Sequence, residues 1–324
     1  MIDLYSWALV NNYKIAWGNI KCLSDSLDEF QTLSRTGQLN DLQNKKFSEW
    51  MSNNHIRNDK MNTVILVAYS VSGKSRQILF DFNGLEVTAL LPPCYGDDGH
   101  SWRYEMLLEK SLSDYLLKYG YRIERLSGPY KNLAARLGLG KYGRNNLIYV
   151  EGFGSYIRIV GFVTDAEFTR EFSPGLHTEK TNLENCEKCN LCKQNCPTHA
   201  IGDDRFQLHV DRCLAYQNER PEEWPPSIKY AKNNCLVGCL LCQAVCPHNT
   251  DFISVGTILS ERFGQEETDY ILGVGGIHKP EIIESVYEKT DRLGLSRHKE
   301  YIVRNMQACI HLMKGDEASK DEEK

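Results

Sequence analysis

Residues 186–197 read CEKCNLCKQNCP, that is Cys186-x2-Cys189-x2-Cys192-x3-Cys196-Pro197, and residues 235–247 read CLVGCLLCQAVCP, that is Cys235-x3-Cys239-x2-Cys242-x3-Cys246-Pro247. Eight of the chain's twelve cysteines fall in these two runs. Three thiolates spaced by two residues wrap one [4Fe–4S] cube, because the loop turns every third side chain inward. A fourth cysteine three residues on, followed by proline, is carried away from that cube and ligates the other cluster of a pair. Two such runs therefore predict two clusters that exchange their last cysteine. Paired clusters pass single electrons, so the rest of the chain is to be read for what those electrons serve.

The spacing assigns Cys186, Cys189, Cys192 and Cys246 to one cluster, and Cys196, Cys239 and Cys242 to the other. The eighth ligand is open between Cys213, in the stretch joining the runs, and Cys235, which precedes Cys239 by one residue more than the first run's spacing. Structural zinc pairs two C-x2-C units across a longer loop, so these runs are poor zinc ligands. Cys22, Cys94 and Cys309 stand alone and read as small buried hydrophobes.

Composition narrows the class. The chain has 324 residues, enough for one large core or two smaller ones besides the clusters. Its 41% hydrophobic and 25% charged residues are ordinary for a water-soluble fold. Met1–Tyr5 shows neither a basic n-region nor the start of an apolar h-region, and no apolar stretch reaches membrane-spanning length. The expectation is a cytoplasmic protein without membrane contact, where reduced thiols persist. A net charge of −5 gives no global attraction to nucleic acid. Lys314–Lys324 reads as a polar, frayed tail.

Four regions follow. Residues 1–60 are mostly helical in pattern, with Leu23, Leu27, Phe30 and Leu33 at helical spacing. Residues 61–180 alternate strands and helices. The β-branched run 63–70 (TVILVAYS) predicts a buried strand, and 77–82 and 86–91 flank an Asn83-Gly84 hairpin turn. A helix is expected over 103–119, ending at Gly120, then a strand over 121–126 and a short helix over 130–137. Residues 146–150 and 156–164 read as two paired strands. Residues 181–250 hold the clusters, and 251–324 return to helical spacing.

Residues 137–146 (LGLGKYGRNN) form a second informative stretch. Three glycines in six residues permit tight turns and close backbone approach. The stretch follows a helix and precedes a strand, the reverse of a dinucleotide fingerprint, and it lacks the Gly-Lys-Ser/Thr of a phosphate loop.

The glycine loop, Gly154-Ser155, Thr164-Asp165, residues 186–201 (CEKCNLCKQNCPTHAI), Arg212-Cys213 and residues 238–249 (GCLLCQAVCPHN), taken together, resemble the epoxyqueuosine reductases. Arg304-Asn305 is similar to a feature of that family's helical C-terminal part. The resemblance runs over roughly residues 100–250. It implies two [4Fe–4S] clusters and a cobalamin, an epoxide on a modified tRNA base as substrate, and kinship with corrinoid reductive dehalogenases. It implies Cys213 as the eighth ligand. It places Gly138, Gly140, Lys141, Tyr142, Gly143, Arg144 and Asn145 beside the corrin, where the three polar side chains would donate to its amide oxygens. Counting back without gaps, it puts Glu124 at the position of the family's proton donor.

The family's acid is an aspartate closely followed by Pro. Here the stretch is Ile123-Glu124-Arg125-Leu126-Ser127-Gly128-Pro129, with the proline two residues late. The family's Asp-Tyr-His segment is replaced by Asp98-Gly99-His100. These departures point to a sister group on the same electron-transfer scaffold.

The fold class expected is α+β: a mixed α/β domain, nitroreductase-like by the resemblance, a two-cluster ferredoxin-like module and a helical C-terminal cap. The expected activity is a cobalamin-dependent reductase fed by an external one-electron donor such as a ferredoxin or flavodoxin. The competing reading is a cluster-only electron-transfer protein that reduces a partner's corrinoid.

Overall fold

The computed structural model describes residues 2–52, 60–71, 74–93, 101–168, 182–203, 208–228, 231, 233–250, 256–296 and 301–311. Cys94, Asp98-Gly99-His100 and the tail from Lys314 lie outside these residues. The chain divides into two compact units, one of residues 1–71 and 102–189, the other of residues 72–101 and 190–324. This division differs from the four sequence regions. The hairpin that follows residue 72 joins the second unit, and the boundary near residue 190 falls inside the first cysteine run. Among the described residues no helix is long and apolar enough to cross a membrane.

The elements of the first unit are α1 (Leu4–Val10), β1 (Lys14–Asn19), α2 (Lys21–Arg35), α3 (Asp41–Ser52) and β2 (Thr63–Ser70). The second unit contributes β3 (Ser75–Phe82) and β4 (Leu85–Leu91). The first unit resumes with α4 (Ser101–Leu117), β5 (Ile123–Arg125), α5 (Tyr130–Arg136), β6 (Lys141–Tyr142), β7 (Ile148–Tyr149) and β8 (Ile157–Thr164).

Four strands form an antiparallel sheet in the order β1-β2-β8-β5. Val64, Leu66 and Ala68 of β2 face one apolar layer with Leu23 and Leu27 of α2, Leu133 of α5 and Val163 of β8. Ile65, Val67 and Tyr69 face the other layer, with Leu4 and Trp7 of α1 and Leu108, Leu112 and Leu116 of α4. Helices cover both faces, which is why β2 reads as an unbroken apolar run. α4 terminates as expected, with Gly120 in the left-handed region at φ 84°.

Gly161 of β8 gives α5 its seat. A Cβ added there would lie 2.6 Å from Cε1 of Tyr130, whose hydroxyl donates to the carbonyl of Leu126. Gly161→Ala is expected to cost about 1–3 kcal/mol by overpacking. Urea unfolding of the single variant, and of the pair made with Tyr130→Ala, checks this. The alanine should cost less once the ring is gone, since contacting residues couple.

Three sequence readings are corrected. The 1–60 region contains β1, which the helical reading missed: the strand is short, and its glycine and asparagine dilute the β signal. The strands 146–150 and 156–164 do not pair with each other. β7 pairs with β6, and β8 pairs with β2 and β5. Adjacency in sequence favoured a hairpin, but β8's apolar length is satisfied only in the middle of the sheet. The 251–324 region opens with a strand, β9 (Thr257–Phe263), before its helices.

In the second unit β3 and β4 form the expected hairpin, with Asn83 and Gly84 both at positive φ (51° and 80°), the backbone of a type I′ turn. β9 adds to β3 in parallel. A parallel edge partner 180 residues away leaves no local sequence signal, which explains the missed strand. α6 (Gln265–Leu272), α7 (Pro280–Arg292) and a helix over residues 301–311 complete this unit. Its core joins Ile78, Phe80, Val87, Ala89, Leu91, Phe263 and Met306.

Candidate iron–sulfur site

In the first unit, a 3-10 turn over Glu184–Glu187 carries Cys186, which is only 8% exposed. In the second unit, a helical turn over Leu191–Gln194 carries Cys192, and one over Leu241–Ala244 carries Cys242. The amide of Asn195 donates to the carbonyl of Leu241 at 2.7 Å, tying these two turns together. The backbone N–H of Ala200 donates to Sγ of Cys196 at 3.3 Å, and Thr198 Oγ1 lies 3.5 Å from the same sulfur.

Cys213 closes a 3-10 turn over Val210–Arg212 and opens a helical turn over Leu214–Gln217. Burial, with Cys213 and Cys196 as close neighbours, pushes the Cys239 thiol up to about 11. The Cys239 thiolate therefore needs a compensating positive charge, which is what iron supplies. Among the described residues no three His, Cys, Asp or Glu side chains are grouped as for a single metal ion. A cube spreads its four thiolates over four irons, and the donor chemistry here, sulfur only and partly shielded from water, suits it.

Cys235 sits differently. Its flanking residues Asn234 and Leu236 hydrogen-bond to both backbone groups of Leu90 in β4, so residues 234–236 extend that hairpin. Cys235 is fully buried, its N–H accepted by Asn233 Oδ1 and its carbonyl accepting from Asn233 Nδ2.

Buried asparagines hold the second unit's cysteine loops. Asn218 donates to the carbonyl of Gly238, next to Cys239, at 2.8 Å and to Asn233 Oδ1 at 3.0 Å. Asn305, from helix 301–311, donates to the carbonyls of Asn218 (2.9 Å) and Leu236 (2.7 Å). Arg304 beside it donates to the carbonyl of Gln217 at 2.6 Å and lies over the Trp224 ring. No spacing rule flags Asn218 or Asn233. The only sequence signal was the Arg304-Asn305 pair. Of the lone cysteines, burial pushes Cys22 and Cys309 each up to about 12, in keeping with small core residues.

The glycine loop lies in the first unit and departs from expectation. Gly138, at φ 71°, ends α5. A Cβ at Gly140 would meet Tyr149 O at 2.7 Å, and one at Gly143 would meet Asn145 Oδ1 at 2.7 Å and the Tyr149 ring at 2.5 Å. These two glycines are required by the loop's own β6–β7 hairpin. Asn145, expected to donate outward, is buried and donates to the Tyr149 hydroxyl at 3.0 Å.

Arg144, also expected to face outward, is 9% exposed. Its Nε and Nη2 donate to the carbonyl of Cys186 at 3.1 and 2.9 Å, and Nη2 also reaches that of Glu187 at 3.2 Å. Tyr142 is mostly buried; its carbonyl accepts from the N–H of Leu183, and burial raises its hydroxyl pKa. Lys141 is the polar side chain of the set that remains exposed.

α5 feeds this loop and is clamped to α2. Arg136 pairs with Glu29 at 2.6 Å, and Asn132 bonds Ser26 and Glu29. Glu124 is half-buried on β5 opposite Val163, so it shares the sheet face on which α5 and the loop pack. Arg125 faces the other way, to Glu105 and the Phe162 ring.

Residues 185–249 match a family model described as a 4Fe-4S double cluster binding domain. The chain is 34% identical over 122 residues to the epoxyqueuosine reductase of Lactococcus garvieae, covering 36% of this chain and 31% of that one. It is 29% identical over 160 residues to that of Cyclobacterium marinum, covering 48% and 49% respectively. The chain thus spans about a third to a half of the length of these curated relatives. In structure it is similar to the epoxyqueuosine reductase of Streptococcus thermophilus, with a TM-score of 0.60, 17% identity, and coverage of 92% of this chain and 76% of that one. For the Bacillus subtilis enzyme the TM-score is 0.61 at 18% identity, with 95% and 80% covered. The chain therefore carries a double-cluster domain and shares the fold of these reductases.

Proposed function

We propose that the chain is an iron–sulfur reductase of the epoxyqueuosine reductase kind. Electrons enter singly from an external donor and pass through clusters held by Cys186, Cys189, Cys192 and Cys246 and by Cys196, Cys213, Cys239 and Cys242. The observation that carries the reading is that residues 185–249, which contain all eight of these cysteines, match a double-cluster domain. Cys213 is preferred over Cys235 because Cys235 is built into the β4 edge. The substrate class that the relatives' name points to is an epoxide. Opening a C–O bond reductively takes electrons, which the clusters supply, and a proton on the released oxygen, for which Glu124 is the candidate.

Cobalamin as the final acceptor comes from the resemblance. The residues assigned to it fit it poorly: Arg144 and Asn145 are turned into the protein, and the glycines serve the loop's own packing. The inward turn of those donors favours the second reading, a cluster-only protein that passes electrons to a partner's cofactor. Anaerobic reconstitution, addition of cobalamin, and EPR with visible spectra separate the two. A cobalt spectrum changed by the protein is expected for the reductase, and an unchanged one with both clusters present selects the electron-transfer reading.

A further inference from the structure

The strongest unexplained feature is a cation placed behind a cysteine. Arg144 is nearly buried and spends three donor contacts on two consecutive carbonyls, those of Cys186 and Glu187. The same loop pairs with the chain just before the cysteine run: Tyr142 bridges Asn182, and Tyr142 O accepts from Leu183 N. Residues 142–144 therefore grip residues 182–187 from one side. A guanidinium keeps its charge under all working conditions, and its planar fork suits adjacent carbonyl oxygens.

The consequence at the first cluster is electrostatic. The guanidinium is fixed on the carbonyl of Cys186 itself, so a permanent positive charge sits on the backbone of a ligand residue. A nearby positive charge favours the more negative, reduced cluster, and net charge is among the levers that set cluster potentials.

We infer that Arg144 is a positioning residue that raises the reduction potential of the cluster held by Cys186. The inference rests on the reading that Cys186 ligates iron, and wild-type iron content with a two-step redox titration tests that reading separately.

The experiment is an EPR-monitored redox titration of the anaerobically reconstituted full chain, wild type against Arg144→Met and Arg144→Lys. In Arg144→Met one midpoint should fall by about a tenfold change in the reduction equilibrium, ~59 mV for one electron, while the other holds. Arg144→Lys keeps the charge and should stay near the wild-type midpoint. Unchanged midpoints in a fully loaded Arg144→Met protein would overturn the inference, as would equal falls in both variants. If Arg144→Met does not load the cluster, Arg144→Lys decides, and a tenfold fall there rejects the role of charge.

Discussion

Cys213→Ala is expected to remove about half of the bound iron, whereas Cys235→Ala retains all of it, because each cubane needs its full set of four protein ligands. A strict repeat of the first run's spacing would place the missing ligand three residues before Cys239, at Leu236. That residue is 1% exposed and belongs to the second unit's apolar core. The choice then lies between its two competitors. Cys213 is close enough to Cys239 to oppose ionisation of its thiol. Cys235 lies in a segment paired with Leu90, and its own backbone bonds to Asn233. Its alanine variant trims one sulfur from a packed position, a loss of about 1 kcal/mol by the usual cost of small core deletions. Iron and sulfide analysis with low-temperature EPR distinguishes the variants. The reverse result, half the iron lost from Cys235→Ala alone, would transfer the eighth ligand to Cys235.

The cysteine runs were legible in the sequence because the spacing within a run is local: the first covers eleven residues, and three of its cysteines suit one cube. β2 and the Asn83-Gly84 hairpin were legible for the same reason: an apolar run and a turn dipeptide carry their own signal. β9 was not, since its pairing with β3 depends on residues far away in the chain. Cys213 could be singled out only by resemblance, as nothing local marks a cysteine 26 residues before its neighbour Cys239. The glycine loop shows a different failure. Its glycines and polar residues were visible, but sequence does not reveal the direction a side chain takes. Arg144 and Asn145 suited an outward donor role equally well until their partners proved to be Cys186 O and the Tyr149 hydroxyl.

Asn305→Leu is expected to loosen the second unit and release iron first from the cluster proposed for Cys196, Cys213, Cys239 and Cys242. The Asn305 amide gives its two hydrogens to the carbonyls of Asn218 and Leu236, and its oxygen accepts from Nη2 of Arg304 at 3.0 Å. Asn218 in turn holds Gly238, so one chain of bonds links the turn that follows Cys213 to the residue before Cys239. Leucine leaves two buried carbonyls without that donor. At about 1–3 kcal/mol for each such group, the loss is about 2–6 kcal/mol. Asn305→Asp separates donor loss from shape. Aspartate keeps the outline and still offers Arg304 an acceptor, but it has no N–H for the carbonyls. If the donors matter, Asn305→Asp falls at least as far as Asn305→Leu in urea unfolding and in the rate of iron loss to a chelator. If Asn305→Asp behaves as wild type, the helix is held by packing and Arg304 alone, and the asparagine network has no part in retaining the cluster.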